Sequence, residues 1–396
     1  MKTLRVKPDF IADLKRGYSL VHRDAVSNKD LLENEGELFE LVDVHNRFLG
    51  KAYYGIQNKG IGWVLTMKEH EEIDQAFFTK KISAALQLRE NFFNDADTTA
   101  FRVFNGEGDG IGGISIDYYD GYFLINWYSD GIYRYQDFVI QALDELTNYK
   151  AIYEKKRFDT KGMYIEQEDD FVKGTPGEFP IIIKENGMNF AIDLNDGAMT
   201  GIFLDQRDVR RTIRDQYAEG TNMLNTFSYT GAFSVAAALG GARETTSVDL
   251  AKRSLSKTIE QFSVNGIDFE AQDIKVMDVF HYFKYAQRHQ LKFDLVVLDP
   301  PSFARTKKMT FSTAKDYPKL LADALSITAK KGIIVASTNN ASFGMKKFKT
   351  FIDQACKETN TKYKIVEQFG LPKDFRANRD FPEFNYLKVC FIQKLN

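Results

Sequence analysis

The segment LVVLDPPSFARTKK, Leu295–Lys308, ends an apolar run in an acid and two prolines. The run FDLVVLD predicts a buried strand, because a short apolar run bounded by turn residues is typical of a parallel sheet. Consecutive prolines restrict φ and lack N–H donors, so they hold the following loop in a fixed conformation. The segment therefore predicts a strand that leads into a rigid loop.

From about residue 220 onward, strands and helices alternate. The strand-like runs NMLNTF, ETTSVDL, FDLVVLD and GIIVAST are followed by the helical segments AFSVAAAL, AKRSLSKTIEQFSVN, YPKLLADALSITA and KKFKTFIDQACKE. This alternation predicts an α/β domain, with a parallel sheet between two layers of helices. Because ligands bind beyond the carboxyl ends of the strands in such sheets, the functional residues are expected directly after each strand.

Two further regions precede this domain. Residues 1–70 contain short alternating strands between turns, which favours a small β domain. Residues 71–185 combine an amphipathic helix, several strands and a second helix, which predicts a central α+β domain. The Asn186-Gly187 pair predicts a hairpin that leads into the last domain, residues 186–396.

The glycines of GDGIGG have the spacing of a dinucleotide-binding fingerprint, at Gly108, Gly110 and Gly113. That fingerprint requires a following helix. Here the next residues, ISIDYYDGYFLINWY, predict two strands about Asp120-Gly121 instead. We therefore predict a turn without a cofactor role.

The composition excludes several classes of function. A formal net charge of -2 in 396 residues gives no overall basicity, so any polyanion site must be local. No apolar run approaches the roughly 18 residues that cross a bilayer, and MKTLRVKPDF lacks the apolar core of a signal peptide, so we predict a cytoplasmic protein with no membrane partner. Two cysteines and five scattered histidines predict neither a disulfide framework nor a metal site.

Polar residues follow the first three strands of the predicted sheet. NTFSYTGAFS, Asn225–Ser234, places Gly231 at the turn into a helix, and it lacks the second glycine pair or lysine of a nucleotide-binding loop. Asp249 follows the second strand, where an acid can accept hydrogen bonds from ribose hydroxyls. Asp278 follows the third strand, where it can cap a helix and reach an adenine edge.

The order NTFSYTG, SVDL, MDVF and LDPPSF resembles that of class I S-adenosylmethionine-dependent methyltransferases. With TGIFLDQRDVR, Thr200–Arg210, nearly the whole chain resembles the bacterial large-subunit ribosomal RNA methyltransferases of the RlmI type. The resemblance implies an N-terminal PUA domain, a central α+β domain and a C-terminal Rossmann-like catalytic domain. It also implies S-adenosylmethionine as cofactor, S-adenosylhomocysteine as product and ribosomal RNA as substrate.

The resemblance assigns the cofactor site residue by residue. Asp249 would bind the cofactor ribose, and Asp278 and Val279 would approach the adenine. Leu250, next to Asp249, is a further cofactor-binding residue. The segment that closes over the cofactor contains Phe203, Asp205, Gln206 and Arg207. The loop that holds the methionine part contains Asn225, Phe227, Ser228, Tyr229, Thr230 and Gly231.

The rigid loop after the fourth strand is suited to hold a flipped base, next to the cofactor. Asp299 can accept a hydrogen bond from a base amino or imino group and lies close enough to the cofactor to contact it as well. Phe303 can stack on the base, for about 1 to 3 kcal/mol. Pro300 and Pro301 fix the loop, and three following basic residues are candidates for contacts to phosphates. These are Arg305, Lys307 and Lys308.

Methylation of cytosine carbon 5 requires a thiolate that first adds to the neighbouring ring carbon. RlmI-type enzymes resemble other RNA cytosine-5 methyltransferases in carrying this cysteine just after the fifth strand. In GIIVASTNNASF the aligned residue is Asn339, and Cys356 and Cys390 are expected in the core. This departure argues against cytosine-5 chemistry.

DPPSF together with STNN is similar instead to the guanine-N7 methyltransferase half of the RlmKL type. A nitrogen has its own lone pair and needs only alignment with the methyl group and hydrogen-bond positioning, which Asn339 and Asn340 can supply. We therefore predict nitrogen methylation. Two alternatives remain: a cytosine-5 enzyme that uses a cysteine from elsewhere, and a cofactor-binding RNA chaperone or assembly factor without catalysis.

The sequence specifies neither the target nucleotide nor the oligomeric state, so a homodimer stays open. In the first domain, the candidates for RNA contacts are Lys15, Arg16 and Arg23.

Overall fold

A computed structural model describes residues 1–57, 59–158, 169–305 and 310–396. The chain forms two compact units. The N-terminal unit consists of Met1–Ile183, Asp193–Thr200 and Lys373–Phe381. The C-terminal unit consists of Lys184–Ile192, Gly201–Pro372 and Pro382–Asn396. The three-domain division at residues 70 and 185 stays a prediction.

Two five-stranded sheets form most of the N-terminal unit. The first sheet and its helix contain β1 (Lys2–Arg5), α1 (Pro8–Lys15), β2 (Leu20–His22), β3 (Leu38–Val42), β4 (Phe48–Tyr54) and β5 (Gly60–Thr66), in the strand order β1-β3-β4-β5-β2. The second sheet and its helices contain α2 (Gln75–Leu88), α3 (Glu90–Phe93), β6 (Ala100–Asn105), β7 (Ile114–Tyr119), β8 (Tyr122–Trp127), α4 (Asp130–Tyr133), α5 (Gln136–Leu146), β9 (Ala151–Lys156) and β10 (Phe171–Gly174), in the strand order β10-β9-β8-β7-β6.

One hydrophobic cluster contains residues of both sheets, and the first sheet has a second cluster of its own, around Phe39 and Leu41. Tyr53 and Trp63 of the first sheet are buried in the same cluster as Phe78 of α2 and Phe101 of β6. The GDGIGG glycines lie between β6 and β7, and a strand rather than a helix follows them. The predicted turn at this position is therefore confirmed.

The C-terminal unit is a seven-stranded sheet with helices. Its elements are β11 (Ile181–Glu185, which begins in the N-terminal unit), β12 (Met188–Ile192), α6 (Arg207–Thr212), β13 (Asn222–Thr226), α7 (Ala232–Leu239), β14 (Glu244–Asp249), α8 (Arg253–Ser263), β15 (Asp273–Val276), α9 (Val279–Arg288), β16 (Phe293–Leu298), β17 (Phe303–Arg305), β18 (Thr310–Ser312), α10 (Thr313–Ile327), β19 (Thr328–Thr338), α11 (Met345–Glu358), β20 (Tyr363–Phe369) and β21 (Lys388–Lys394). The predicted hairpin forms between β11 and β12, where Asn186 and Gly187 both have positive φ (48° and 80°).

The sheet order is β15-β14-β13-β16-β19-β21-β20. The pairs from β15 to β19 are parallel, as the alternation of strands and helices predicts. The last strand departs from this prediction, because β21 pairs antiparallel with both β19 and β20. A loop without a helix joins β20 to β21, and such a connection suits antiparallel neighbours whereas parallel ones need a crossover.

Helices cover both faces of this sheet. Phe283 of α9, Leu320 of α10 and Phe348 of α11 pack on one face. Val209 of α6 and Phe233 of α7 pack on the other. The predicted α/β class is confirmed. Across the described ranges, every helix is too short or too polar to cross a bilayer.

Candidate active site

A cavity of about 400 Å³ lies at the carboxyl ends of the parallel strands in the C-terminal unit. Its walls come from residues at or just after the ends of β13, β14, β15, β16 and β19. Residues of β17 and β18 and residues just before α6 and β21 complete them. The lining residues are Phe203, Asp205, Gln206, Phe227, Tyr229, Asp249, Leu250, Asp278, Val279, Phe280, Asp299, Pro300, Pro301, Ala304, Phe311, Asn339 and Leu387. Most of the predicted site residues therefore meet at one edge of the sheet, as its parallel topology requires.

The loop after β13 has an unusual backbone. Phe227 and Tyr229 lie in the left-handed region, at φ 54° and 53°, which non-glycine residues seldom adopt. Gly231 follows at φ 81°, and a Cβ atom there would lie 2.6 Å from the side chain of Thr258. Such backbone conformations concentrate at functional sites, and here they turn two aromatic side chains into the cavity.

Several predicted cofactor residues of this region do not line the cavity. Asn225 donates from Nδ2 to Ser234 Oγ at 3.0 Å, and Thr230 donates from Oγ1 to the Gly201 carbonyl at 2.7 Å. Ser228 and Arg207 are buried within the fold. These residues and Gly231 fix the shape of the loops, and their contacts to the cofactor stay predictions.

Two carboxylates lie at the carboxyl ends of β14 and β15: Asp249 is the last residue of β14, and Asp278 lies two residues after β15. Asp249 accepts from the backbone N–H of Tyr229 at 2.9 Å and of Ala251 at 2.8 Å, one bond to each oxygen. Each oxygen has a second lone pair that a ribose hydroxyl can use. Asp278 caps α9 through the N–H of His281 at 3.0 Å, so its predicted role as a helix cap is confirmed.

An apolar slot lies beside these acids. The ring of Phe280 lies 6.5 Å from that of Phe227 and 5.6 Å from that of Phe311. Ala304 and Leu387 add further apolar surface to the cavity. Phe280, Ala304, Phe311 and Leu387 were not predicted from the sequence. Of these four, only Phe280 could have been found from the sequence, because it directly follows the predicted site residue Val279.

Asp299 belongs to a small polar network. Gln206 donates from Nε2 to Asp299 Oδ1 at 3.2 Å and to Ser337 Oγ at 2.8 Å. Burial raises the pKa of Asp299 to about 6, although Ser337 and Gln206 oppose this through hydrogen bonds; the nearby charge of Asp205 adds to the rise. Asp299 is thus a carboxyl group that changes its charge close to neutral pH.

The loop that contains Asp299 is tied to the turn after β19. Ser302 donates from Oγ to Asn339 Oδ1 at 2.7 Å, so the amide nitrogen of Asn339 remains available at the cavity. Pro300 and Pro301 line the cavity, whereas Phe303 begins β17, is 60% exposed and lies outside the lining. The side chain of Arg305 and the whole of Lys307 and Lys308 lie outside the described residues.

Neither cysteine lines the cavity. Cys356 and Cys390 both belong to the hydrophobic core, as predicted. Burial raises the pKa of the Cys356 thiol to about 11 and that of Cys390 to about 12. Each thiol is therefore protonated at neutral pH, which is the unreactive form.

Lys388 holds two segments that flank the cavity. Its ammonium group donates to the Asn340 carbonyl at 2.7 Å and to the Tyr386 carbonyl. The phenol of Tyr386 in turn donates to Asp205 Oδ2 at 2.9 Å. The side chain of Asn340 binds Thr313 and Ser342 rather than lining the cavity, so of these two asparagines Asn339 is the one that lines it.

The chemistry of the lining fits S-adenosylmethionine. Asp249 offers acceptors to ribose hydroxyls, and Phe280 and Phe311 offer apolar faces to an adenine. Asp205 offers a carboxylate to an ammonium group. The Oε1 atom of Gln206 is buried without a hydrogen-bond partner in the described structure, and a ligand N–H would satisfy it.

Comparison with known proteins gives matches over the whole chain. Residues 103–383 match the family described as S-adenosylmethionine-dependent methyltransferase, and residues 4–67 match the PUA-like domain. The chain is 63% identical over 396 residues, the full length of both proteins, to "Putative ribosomal RNA large subunit methyltransferase YwbD" of Bacillus subtilis (strain 168). It is 29% identical to ribosomal RNA large subunit methyltransferase I of Alteromonas mediterranea, over 98% of each chain.

Among solved structures, SMU.776 complexed with SAH superposes with a TM-score of 0.91 at 40% identity. The match covers 99% of this chain and 100% of that chain.

Proposed function

Because this chain belongs to the S-adenosylmethionine-dependent methyltransferase family, we propose that it methylates a base of large-subunit ribosomal RNA, at a nitrogen rather than at cytosine carbon 5. The enzyme class, the cofactor and the resemblance that the sequence predicts are confirmed by these family matches. The RNA substrate follows from the names of the relatives and from the PUA-like domain at residues 4–67.

The choice of nitrogen rests on the groups that the cavity presents. Asp299 and Asn339 line it, and neither Cys356 nor Cys390 does. A cytosine ring must first be attacked by a thiolate, whereas a nitrogen lone pair can attack the methyl carbon directly. A cavity with a carboxylate and an amide but no thiol is suited to the second reaction.

The bound cofactor supplies an electrophilic methyl group on a sulfonium. The nitrogen lone pair forms the new N–C bond, and the electrons of the broken C–S bond return to sulfur. In this scheme Asp299 accepts a hydrogen bond from a base N–H, and Asn339 contacts the base edge. Pro300 and Pro301 restrict the loop of Asp299, and the hydrogen bond from Ser302 ties Asn339 to that loop. Both groups are thus positioned before the base arrives, which lowers the entropic cost of alignment. Where the target is an exocyclic amine, Asp299 also takes the proton that the amine loses.

Nucleoside mass spectrometry of large-subunit RNA tests this proposal. We expect a strain without this gene to lack one N-methylated nucleoside, and the wild-type gene but not Asp299→Ala to restore it. The purified protein should transfer labelled methyl groups to RNA from the deletion strain. Cofactor binding without any transfer to that RNA would favour the assembly-factor alternative.

The cytosine-5 alternative has its own test. The Cys356→Ala/Cys390→Ala variant should keep methyl transfer within about twofold, because both thiols lie outside the cavity. RNA that contains 5-fluorocytidine should form no covalent complex with the wild-type protein, because trapping requires a thiolate adduct. A trapped complex, or loss of transfer in the folded double variant, would reverse the choice of atom.

A further inference from the structure

A second cavity, of about 590 Å³, lies in the N-terminal unit. It is bounded by the end of α1 and the following loop, the end of β5, the middle of α2, the turn after β6 and Arg376. The residues that define this cationic cavity are Leu14, Gly17, Tyr18, Ser19, Leu49, Val64, Leu65, Thr66, Met67, Lys68, Glu71, Lys80, Lys81, Ala84, Glu107, Gly108, Asp109, Gly110 and Arg376. It shares no lining residue with the cavity of the C-terminal unit.

Each acidic residue of the cationic cavity already has an ion-pair or hydrogen-bond partner within the protein. Asp109 forms a two-pronged ion pair with Arg89, at 2.7 and 2.8 Å, and both side chains are 1% exposed. Glu71 pairs with Lys80 at 3.4 Å. Glu107 accepts from the Trp63 indole N–H at 2.8 Å, and burial raises its pKa. The acids therefore contribute little uncompensated negative charge.

The cations of the cavity are less well balanced. Lys68 makes no side-chain bond to any described residue, and Arg376 reaches only to 4.0 Å from Asp109. Lys81 is partly buried, and desolvation lowers its pKa. Its ammonium lies 5.2 Å from the centroid of the Phe77 ring but has no hydrogen-bond or ion-pair partner among the described residues. An unpaired cation out of water costs free energy unless a ligand compensates it.

Two further features indicate what kind of ligand would fit. The hydroxyl oxygen of Ser19 is buried without a hydrogen-bond partner in the described structure, so it can bond to a ligand. Leu14, Leu49, Val64 and Leu65 give the same cavity an apolar wall. A cavity lined by both cations and apolar side chains suits a nucleotide, whose phosphate is charged and whose base is not.

We propose that the cationic cavity binds one nucleotide of the RNA substrate, with its phosphate at Lys81, Lys68 and Arg376 and its base or sugar against the apolar wall. This inference rests on the proposed RNA substrate and identifies where the N-terminal unit holds it. The predicted RNA contacts of Lys15, Arg16 and Arg23 stay predictions beside it, and two of these side chains already have partners within the protein. Arg16 is bound to Asp13 at 2.6 Å, and Arg23 donates to the Gln57 carbonyl at 3.3 Å.

Lys81→Met tests the proposal, because methionine keeps the aliphatic stem and removes the charge. We expect the dissociation constant for a large-subunit rRNA transcript to rise about fivefold or more at low salt, and the slope of log K against log salt to fall by about one. The affinity for S-adenosylhomocysteine should be unchanged. The controls are Lys284→Met, an exposed lysine of α9, and Lys15→Met, the remaining candidate of α1.

Thermal unfolding separates this role from a structural one. Removal of an unpaired, partly buried charge should leave the melting temperature of Lys81→Met equal to or above that of the wild type. Weaker RNA binding in an equally stable protein supports the site. Unchanged RNA binding by Lys81→Met, or a larger effect of Lys15→Met, would overturn it.

Chemical protection distinguishes RNA from a free nucleotide. The full-length protein is acylated with an amine-reactive ester, and modification of Lys81 is read by mass spectrometry. The transcript should protect Lys81 while millimolar AMP protects it much less; protection by AMP alone would assign the cavity to a free nucleotide instead. Neither RNA binding nor lysine protection requires methyl transfer. A failure of the proposed methylation would therefore leave these results valid, and a failure of this site would not argue against methylation.

Discussion

Asp299 is the single residue whose charge state is most closely linked to the proposed reaction. Its pKa is raised to about 6, so the carboxylate that accepts a base N–H is lost as the pH falls through that value. We expect kcat for methyl transfer to decline below about pH 6 with one titrating group, and Asp299→Asn to lose at least about 100-fold in kcat at pH 7.5. Rates measured from pH 5 to 8 with a fixed RNA transcript give the profile.

The same group has a predictable effect on stability. An unfolded carboxyl group titrates near its ordinary value, so between that pH and about 6 the folded state binds more protons, and stability falls as the pH rises. Asp299→Asn should therefore melt at or above the wild-type temperature at pH 7, with a smaller advantage at pH 4.5. A variant that melts well below the wild type at both values would show that its loss of activity is a folding defect.

At the residue scale, the sequence predicted the acidic residues of the cavity better than its apolar residues. Asp249, Asp278 and Asp299 each follow a strand, so their position in the chain places them at the cavity. Phe311 reaches the same cavity because β17 and β18 pair and return the chain to it. That pairing leaves no local sequence signal, since it depends on two three-residue strands.

At the element scale, β21 positions two loop segments beside the cavity through its first residue, Lys388. Lys388 is 2% exposed, its pKa is lowered to about 8 by burial, and it donates to the carbonyls of Asn340 and Tyr386. Lys388→Met should lower kcat by about 10- to 100-fold, because the Asn339 turn and the Tyr386 phenol would lose their fixed positions. The melting temperature should change little, because removal of a buried charge offsets the loss of two hydrogen bonds to carbonyl groups.

Lys394 provides a matched control in the same strand. Its ammonium also donates to two carbonyls, of Leu325 at 2.9 Å and Thr328 at 3.0 Å, away from the residues that line the cavity. Lys394→Met should therefore leave kcat within about twofold of the wild type. Equal losses in both variants would mean that β21 supports the fold and not the site.

The β11–β12 hairpin supports α6 through a buried ion pair. Arg210 binds Glu185 at 2.7 Å through two nitrogens and also donates to the Phe203 carbonyl at 2.7 Å. Arg210→Met should lower the free energy of unfolding by about 3 to 5 kcal/mol, since it leaves Glu185 buried and unpaired. It should also weaken binding of S-adenosylhomocysteine, because Phe203 lines the cavity.

Arg89→Met is the control for this pair. Arg89 and Asp109 form an equally buried two-pronged ion pair in the N-terminal unit. Arg89→Met should lower the free energy of unfolding by a similar amount. Calorimetric titration of the folded protein should show an unchanged affinity for S-adenosylhomocysteine. If both variants lose that affinity equally, the effect is general destabilisation and not the loss of the Phe203 contact.

At the element scale, hydrophobic periodicity predicted most helices and strands, but not the direction of β21. Periodicity records which side of a strand is buried and carries no information about the direction of its neighbour. The composition of DQRDVR, Asp205–Arg210, also gives no sign that the segment is buried. A stretch with two arginines and two aspartates has the composition of a solvated helix start, yet Gln206, Arg207 and Arg210 are all buried.

At the scale of the whole molecule, the sequence does not show which distant segments belong to the same unit. The segments Asp193–Thr200 and Lys373–Phe381 belong to the N-terminal unit although they lie far along the chain. Arg89 donates to the Asp374 carbonyl at 2.6 Å, across 285 positions of sequence. Contacts over such separations depend on the completed fold, so local composition cannot reveal them.

This interleaving has a thermodynamic consequence. Neither unit is a continuous piece of chain, so unfolding one of them releases the ends of segments that belong to the other. We expect calorimetry to show one cooperative transition rather than two. S-adenosylhomocysteine at 100 times its dissociation constant should stabilise that transition by about 2.7 kcal/mol. Arg89→Met, although it alters the N-terminal unit, should lower the same transition. Two resolved transitions, of which the ligand shifts only one, would contradict this coupling and show that the units unfold independently.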